Sequence, residues 1–178
     1  LVEQNTSFGS HSLMGNTTGS FNVAIGDSAL RSNTTANQNT AVGSGALKLV
    51  ATGSANTAVG AGALNSNTAA SNTAIGSASM ALNTSGTFNT ALGATSLYEN
   101  TTGSNNAAVG YWAMRYNTTG SENVAFGTTA LRQNTTGNKN VSLGRQALYG
   151  NTTGNNNIGI GYQSGYNNSA GSGNLFIG

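Results

Sequence analysis

The side chains that usually carry out enzymatic chemistry are few in this sequence and do not cluster. Among the 178 residues there is one histidine, His11, and there is no cysteine. The acids are Glu3, Asp27, Glu99 and Glu122. Zinc sites use histidine and cysteine ligands, and a glycosidase needs two carboxyl groups about 5–10 Å apart. Because no such group can be assembled from the sequence, we expect no catalytic residues, no metal and no cofactor. We therefore predict a protein that is not an enzyme.

The composition is far from that of an average soluble protein and argues against two kinds of partner. The chain contains 26 Gly, no Pro and only 6% charged residues, with a formal net charge of +2. So few charges do not make a nucleic-acid groove. Without an apolar run of about 18 residues, we expect no membrane span in this segment. The abundance of Gly, Asn, Thr, Ser and Ala calls for a search for internal repeats.

A glycine that follows an apolar residue recurs through the whole chain. It returns every seventeen residues, except for an interval of sixteen between Gly60 and Gly76. These strand glycines are Gly9, Gly26, Gly43, Gly60, Gly76, Gly93, Gly110, Gly127, Gly144, Gly161 and Gly178. Such a period predicts a stack of equivalent units. We call each unit a rung; it begins after one strand glycine and ends at the next.

Each strand glycine is accompanied by the same residue types at fixed distances. The residue four before it is Asn, the residue immediately before it is a sizeable apolar one, and the residue four after it is Leu or Met until Gly165. An Asn-Thr-Thr-Gly phrase follows, and its shortened copy at 67–70 accounts for the interval of sixteen. Asn, Thr and Gly are poor helix formers, and apolar residues do not recur at helical spacing. Each rung should therefore consist of a short strand and turns.

Strands that recur every seventeen residues are too close in sequence for a helical crossover. We therefore predict an all-β fold, a parallel β-solenoid (β-roll) of about eleven rungs. At about 4.8 Å per rung its length is roughly 50 Å. It should form a single repeat domain over residues 1–178, and we expect this segment to be an excerpt of a longer fibrous protein.

The invariant Asn is expected to stack on itself from rung to rung. Its side chain could bond the Asn above and below or satisfy a turn carbonyl, as Asn ladders do in cross-β stacks. This structural ladder comprises Asn22, Asn39, Asn56, Asn72, Asn89, Asn106, Asn123, Asn140 and Asn157.

The residue two before the strand glycine suggests a partner chain. Because it alternates with the sizeable apolar residue, we expect it to face away from the coil interior. The column is never charged and is small except for Phe176 at its end; it includes Ala24, Ala41, Ala58, Ala74, Ala91, Ala108 and Ala125. We interpret it as an oligomer interface at which another backbone approaches closely. The alternative is that alanine is tolerated on a narrow face of a monomer.

The units "NVAIG", "NTAVG", "NTAIG" and "NNAAVG" resemble the signature of the YadA-like head of trimeric autotransporter adhesins. The longer unit, which ends in "NTTG", also resembles repeats in tail-fibre-like β-solenoid proteins. The resemblance implies a left-handed roll, a homotrimer and an extracellular location, on a cell surface or in a virion fibre. The unit of seventeen is longer than is usual in the adhesin family, so viral and bacterial origins both stay open.

Side chains that differ between rungs are the candidates for recognition. From Tyr98 onward, the first, second, fifth and sixth positions after the strand glycine become aromatic or basic. Tyr, Trp and Arg are enriched at binding surfaces, and Tyr and Trp rings can stack on sugars. The predicted ligand-binding surface comprises Tyr98, Tyr111, Trp112, Arg115, Tyr116, Arg132, Tyr149, Tyr162 and Tyr166. The alternative is that these side chains cover neighbouring aliphatic surface or pack between chains.

Two functions follow from these observations. The favoured one is a structural and adhesive fibre segment on a cell or virion surface, which attaches to host or surface glycans or to a protein receptor. The other is a solenoid that binds ice or another regular lattice, because Thr repeats at rung spacing. The paired Thr of the Asn-Thr-Thr phrase are adjacent, so their side chains should diverge. This weighs against lattice binding.

Overall fold

The computed structural model describes residues 4–178 and is all-β, with one three-residue strand per rung and no helix in that range. The strands are β1 Thr6–Phe8, β2 Val23–Ile25, β3 Thr40–Val42, β4 Thr57–Val59, β5 Thr73–Ile75, β6 Thr90–Leu92, β7 Ala107–Val109, β8 Val124–Phe126, β9 Val141–Leu143, β10 Ile158–Ile160 and β11 Leu175–Ile177. The predicted parallel β-solenoid is thereby confirmed. Glu3, one of the four acids, lies outside the described residues.

The strands form a single parallel sheet in which equivalent residues of successive rungs lie side by side. Ala41 pairs with Ala58 between β3 and β4. The register continues across the shortened rung, where Ala58 pairs with Ala74. The missing residue is therefore absorbed in the turn before β5 and does not shift the sheet.

The strand glycines allow successive rungs to approach closely. At Gly110 φ is +131°, and a Cβ built there would lie 2.6 Å from the carbonyl oxygen of Gly127. The backbone N–H of Gly110 donates to the carbonyl oxygen of Leu92 at 2.7 Å. A side chain at this position would push two rungs apart, so only glycine fits.

The core of the coil is a narrow column of large side chains lined by alanines. From the second to the ninth strand glycine, the residue four after it is fully buried; these residues are Leu30, Leu47, Leu64, Met80, Leu97, Met114, Leu131 and Leu148. They adopt left-handed backbone conformations, with φ of 50° at Leu131. That conformation costs about 1–2 kcal/mol, which burial of the side chain, worth about 1.5–3 kcal/mol, offsets.

The alanine column lies inside the coil, so the prediction that it faces outward towards another chain is wrong. The residues concerned are Ala24, Ala41, Ala58, Ala74, Ala91, Ala108 and Ala125, all of them 0% exposed. The neighbours of Ala125 point outward instead, since Val124 and Phe126 are 39% and 60% exposed. Strand alternation separates two faces without indicating which is the inner one.

The interior is too thin for the larger residues of each strand, so the small residue takes the inward position. Where Gly159 replaces alanine, an added Cβ would already lie 2.7 Å from Cγ of Leu148.

Candidate functional site

The first asparagine column, four residues before the strand glycine, is a hydrogen-bonded ladder inside the coil. The backbone N–H of Asn123 donates to Oδ1 of Asn106 at 3.0 Å, and Nδ2 of Asn123 donates to the carbonyl oxygen of Gly137 at 2.8 Å. The backbone-to-Oδ1 bond recurs at every rung from Asn22 to Asn174. These amides are satisfied within the fold, so the column is structural.

A second asparagine column, not predicted as a ladder, comes from the first residue of the Asn-Thr-Thr-Gly phrase. Nδ2 of Asn117 donates to Oδ1 of Asn100 at 2.7 Å and to the carbonyl oxygen of Gly120 at 2.9 Å. The buried members are Asn33, Asn67, Asn83, Asn100, Asn117, Asn134 and Asn151. The sequence shows this Asn returning at a fixed offset in the rung, which could have indicated a ladder. The preference of Asn for turns explains the recurrence equally well.

Val50 interrupts this second column. Oδ1 of Asn33 is buried without a hydrogen-bond partner, because the next rung supplies a valine side chain in place of an amide donor. On the other side of the break, Nδ2 of Asn67 donates to the carbonyl oxygen of Ala69 at 2.7 Å and has no asparagine before it to bond. A buried, unpaired polar atom costs about 1–3 kcal/mol. We therefore interpret the break as a local loss of stability.

Most of the predicted recognition residues come together around Trp112. Cζ of Arg115 lies 4.9 Å from the Trp112 ring centroid, and Cζ of Arg132 lies 4.4 Å from it. The ring of Tyr111 stacks on Trp112 with a centroid distance of 4.7 Å. One indole thus contacts two guanidinium groups from successive rungs, both within the range of cation–π attraction.

Tyrosines extend this arrangement along the rod. Cζ of Arg115 lies 5.7 Å from the Tyr98 ring centroid, and Cζ of Arg132 lies 5.6 Å from that of Tyr149. The Tyr149 and Tyr166 rings are stacked 4.9 Å apart with an angle of 4° between their planes. We call the set of side chains the aromatic–arginine cluster; it comprises Tyr98, Tyr111, Trp112, Arg115, Tyr116, Arg132, Tyr149 and Tyr166.

Tyr162 lies outside this cluster. Its ring centroid is 5.6 Å from Cζ of Arg145, which makes a separate pair at the next rungs. The nine predicted residues therefore form one continuous group of eight and one neighbour. Arg145 is also a basic residue. It directly follows a strand glycine, as Tyr162 does, and it pairs with Tyr162.

The two guanidinium groups of the cluster are hydrogen-bonded to tyrosine hydroxyls. Nη1 of Arg132 donates to Oη of Tyr149 at 2.6 Å, and Nη1 of Arg115 donates to Oη of Tyr116 at 3.0 Å. Nη2 of Arg132 makes a longer bond of 3.4 Å to Oη of Tyr116. Nε of both arginines is buried without a partner. A guanidinium carries several N–H donors, so more than half of this capacity is unused.

The arginines also lack acidic partners. Within residues 4–178, the one pair of opposite ionisable groups closer than 4 Å is His11 with Asp27, at 3.7 Å and largely exposed to solvent. Neither Arg115 nor Arg132 is neutralised by a carboxylate. The cluster is therefore a local concentration of positive charge on a rod of otherwise low charge.

The cluster is an open surface. Tyr111 is 48% exposed, and the side chains around it are half-buried. The described part of the chain contains no pocket and no group of three or more His, Asp and Glu side chains that could hold a metal ion. Small molecules are usually held in concave sites, so an extended ligand suits this surface better.

The outer sheet face is the second candidate surface. We define it as the first and last residues of each strand, whose side chains point away from the coil. Neither column carries a charged residue from β1 to β11. Its most exposed large apolar members are Phe8, Ile25, Ile75, Val124, Phe126, Leu143, Ile158, Ile160, Leu175 and Ile177. Apolar surface of this extent is typical of an interaction site.

Comparison with models of protein families found no match, and comparisons with curated proteins and with solved structures found none either. Residues 4–178 include no helix capable of crossing a bilayer. The aromatic–arginine cluster and the outer sheet face are therefore the features that bear on function.

Proposed function

We propose that this chain is a structural and adhesive segment of a fibre at a cell or virion surface, in which three copies pack along the outer sheet face. The main observation in support is the length of that face, which has no charged residue over all eleven strands. Burial of apolar area from water is the main source of association energy. A face of this kind on a repeat protein supports side-by-side assembly.

A second copy of the chain is the partner whose geometry fits the outer sheet face. Contact along the whole face needs a partner with the same repeat of about 4.8 Å, and an identical rod has that repeat. Because both columns lack charge, the copies meet without like-charge repulsion. Homo-oligomers favour closed symmetry, and the resemblance to trimeric adhesin heads favours three copies.

The aromatic–arginine cluster is the proposed adhesive surface. Its residues occupy other columns of the rung than the outer sheet face, so the proposed assembly leaves it available. Tyr, Trp and Arg supply much of the binding energy at protein surfaces. The receptor is a glycan or a protein outside the cell.

The assembly is tested by the mass of the protein in solution. Static light scattering should give three times 17.7 kDa for the natural chain. Phe126→Asp places a charge on the outer sheet face, at a side chain that is 60% exposed and so not needed by the coil. We expect this variant to be monomeric. Thr119→Asp introduces the same charge on an exposed turn and should keep the trimer mass.

A natural chain of 17.7 kDa at tens of micromolar protein would refute the assembly. Circular dichroism of both variants guards against the trivial explanation that Phe126→Asp has unfolded.

Lattice binding is a second candidate function, favoured by a threonine row on the same outer sheet face. Thr40, Thr57, Thr73 and Thr90 begin four successive strands. The Asn-Thr-Thr phrase contributes less, because the hydroxyl of its first Thr bonds the next rung; Oγ1 of Thr101, for example, donates to the carbonyl oxygen of Thr118 at 3.0 Å. Thermal hysteresis from a monomeric protein would favour this function over the fibre.

A further inference from the structure

We infer that the aromatic–arginine cluster binds an acidic polysaccharide, that is, a chain of sugars bearing sulfate or carboxylate groups. This inference rests on the proposed adhesive function and names the ligand class for its binding surface. It is based on two arginines that lie against one tryptophan, neither of which has a carboxylate partner.

The charge arrangement calls for an external anion. Arg115 and Arg132 lie against the same indole, and both donate to the hydroxyl of Tyr116, at 3.0 and 3.4 Å. Like charges brought together in this way repel each other. The backbone N–H of Glu99 donates to the carbonyl oxygen of Arg115 at 3.0 Å, but the Glu99 carboxylate makes no ion pair within 4 Å in the described residues. An anionic group bound beside both guanidinium groups would relieve this repulsion.

The unused donors suit the oxygen atoms of sulfate and carboxylate. The planar guanidinium presents paired N–H groups that match these anions. Nη1 of Arg115 donates to a tyrosine hydroxyl, and so do both Nη atoms of Arg132. Each of these nitrogens uses one hydrogen in this way. Because each Nη carries two hydrogens, donors remain on both guanidinium groups. The stacked rings hold these planes in place and so reduce the entropy lost on binding.

The aromatic rings supply surfaces for the sugar rings themselves. Tyr111 is 48% exposed, and one face of its ring is covered by Trp112. The Tyr149 and Tyr166 rings stack on each other over two further rungs, so one face of each is covered as well. The surface is open, since residues 4–178 form no pocket. A polymer lying along the rod can therefore place one acidic group at the arginines and a neutral sugar face against the exposed side of Tyr111.

Single-stranded nucleic acid is the competing ligand, because bases also stack on aromatic and arginine side chains. Nucleic-acid grooves are strongly basic along their length, whereas this chain has a net charge of only +2. The observations therefore favour the polysaccharide, and nucleic acid enters as an arm of the test.

The test measures the affinity of the full chain for four probes: dextran sulfate, polygalacturonate, neutral dextran and oligo(dT), at near-physiological salt. We expect the first two to bind more tightly than neutral dextran. Arg115→Gln with Arg132→Gln should weaken their binding by about tenfold or more. The matched control is Arg31→Gln with Lys48→Gln, which removes the same charge from the same column in earlier rungs. It should change affinity by less than about twofold.

A third variant separates charge from geometry. Arg115→Lys with Arg132→Lys keeps both charges and loses the planar pair of donors, so we expect an intermediate loss of affinity. Loss as complete as that of the glutamine variant would also support the site.

Four results would overturn the inference: no binding of either acidic polysaccharide, equal loss in the cluster and control variants, equal affinity for neutral dextran, or tighter binding of oligo(dT). Failure of the proposed fibre assembly is read separately, from the light-scattering mass of the same samples. A trimer that binds neutral dextran as tightly as the acidic polysaccharides, or that binds a protein receptor and neither acidic polysaccharide, would keep the proposed function and refute the acidic ligand.

Discussion

The ring of Phe176 occupies space beside Gly165 that leucine or methionine fills in the preceding rungs. A Cβ built on Gly165 would lie 2.5 Å from Cδ2 of Phe176 and 2.8 Å from Cδ2 of Leu148. Phe176 belongs to the inward alanine column, so a large residue replaces a small one there while a glycine replaces the leucine opposite. The two departures from the repeat compensate each other in volume.

This compensation predicts non-additive effects on stability. Phe176→Ala should lower the free energy of unfolding by up to about 3 kcal/mol, because it leaves a void. Gly165→Leu alone should also destabilise the protein, by about 1–3 kcal/mol, because it overfills the same space. The double variant restores the alanine and leucine of the other rungs and should be more stable than either single one. Urea unfolding of the four proteins measures the coupling; strictly additive changes would contradict it.

Repair of the second asparagine column should stabilise the protein. Val50→Asn offers an Nδ2 donor to the unpaired Oδ1 of Asn33 and an Oδ1 acceptor to Asn67. We expect a gain of about 1 kcal/mol or more in the free energy of unfolding. The opposite substitution, Asn117→Val, breaks an intact part of the ladder and should be destabilising. A Val50→Asn variant less stable than the natural chain would show that the break is accommodated in another way.

A strand glycine that lies against the next rung, such as Gly110, should be far less tolerant of substitution than Gly62, which also has positive φ. Gly110→Ala forces a Cβ to within 2.6 Å of the next rung's backbone and should cost several kcal/mol, about 3 or more. Gly62→Ala is the matched control, because Gly62 has φ of 66°, no atom within 4 Å of its added Cβ, and Ala78 as its counterpart one rung on. Its cost should stay near 1 kcal/mol. Thermal unfolding of the two variants would compare them, and equal losses would contradict the crowding argument.

Trp112 is the single tryptophan of the chain and lies at the centre of the cluster, so its fluorescence should report ligand binding there. Dextran sulfate should change the emission of the natural protein and leave that of the variant with Arg115→Gln and Arg132→Gln unchanged. Higher salt should diminish the change, because it screens exposed charges. A fluorescence change that persists in the double variant would place binding elsewhere.

Periodicity was sufficient to predict the architecture of this protein. A glycine that returns every seventeen residues with Asn, Ala and Leu at fixed offsets admits few folds other than a coil with one strand per turn. The single interval of sixteen was also located in a turn, between β4 and β5, where a deletion leaves the sheet register unchanged. The turn depends on neighbouring residues and the repeat depends on a fixed interval along the chain. Both can be read from the sequence.

The direction of each side chain required the tertiary structure. Alternation assigns Ala125 and its neighbours to opposite faces, but either face could line a coil; the narrow interior makes the alanine face the inner one. Gly165 and Phe176 could have indicated which face is the inner one, because their volumes compensate only if both positions point inward. Likewise, the row of aromatic and basic residues was visible in the sequence, whereas the contact of two arginines with Trp112 depends on how neighbouring rungs stack. Spacing along a chain sets which residues recur together, and packing in three dimensions sets which of them face each other.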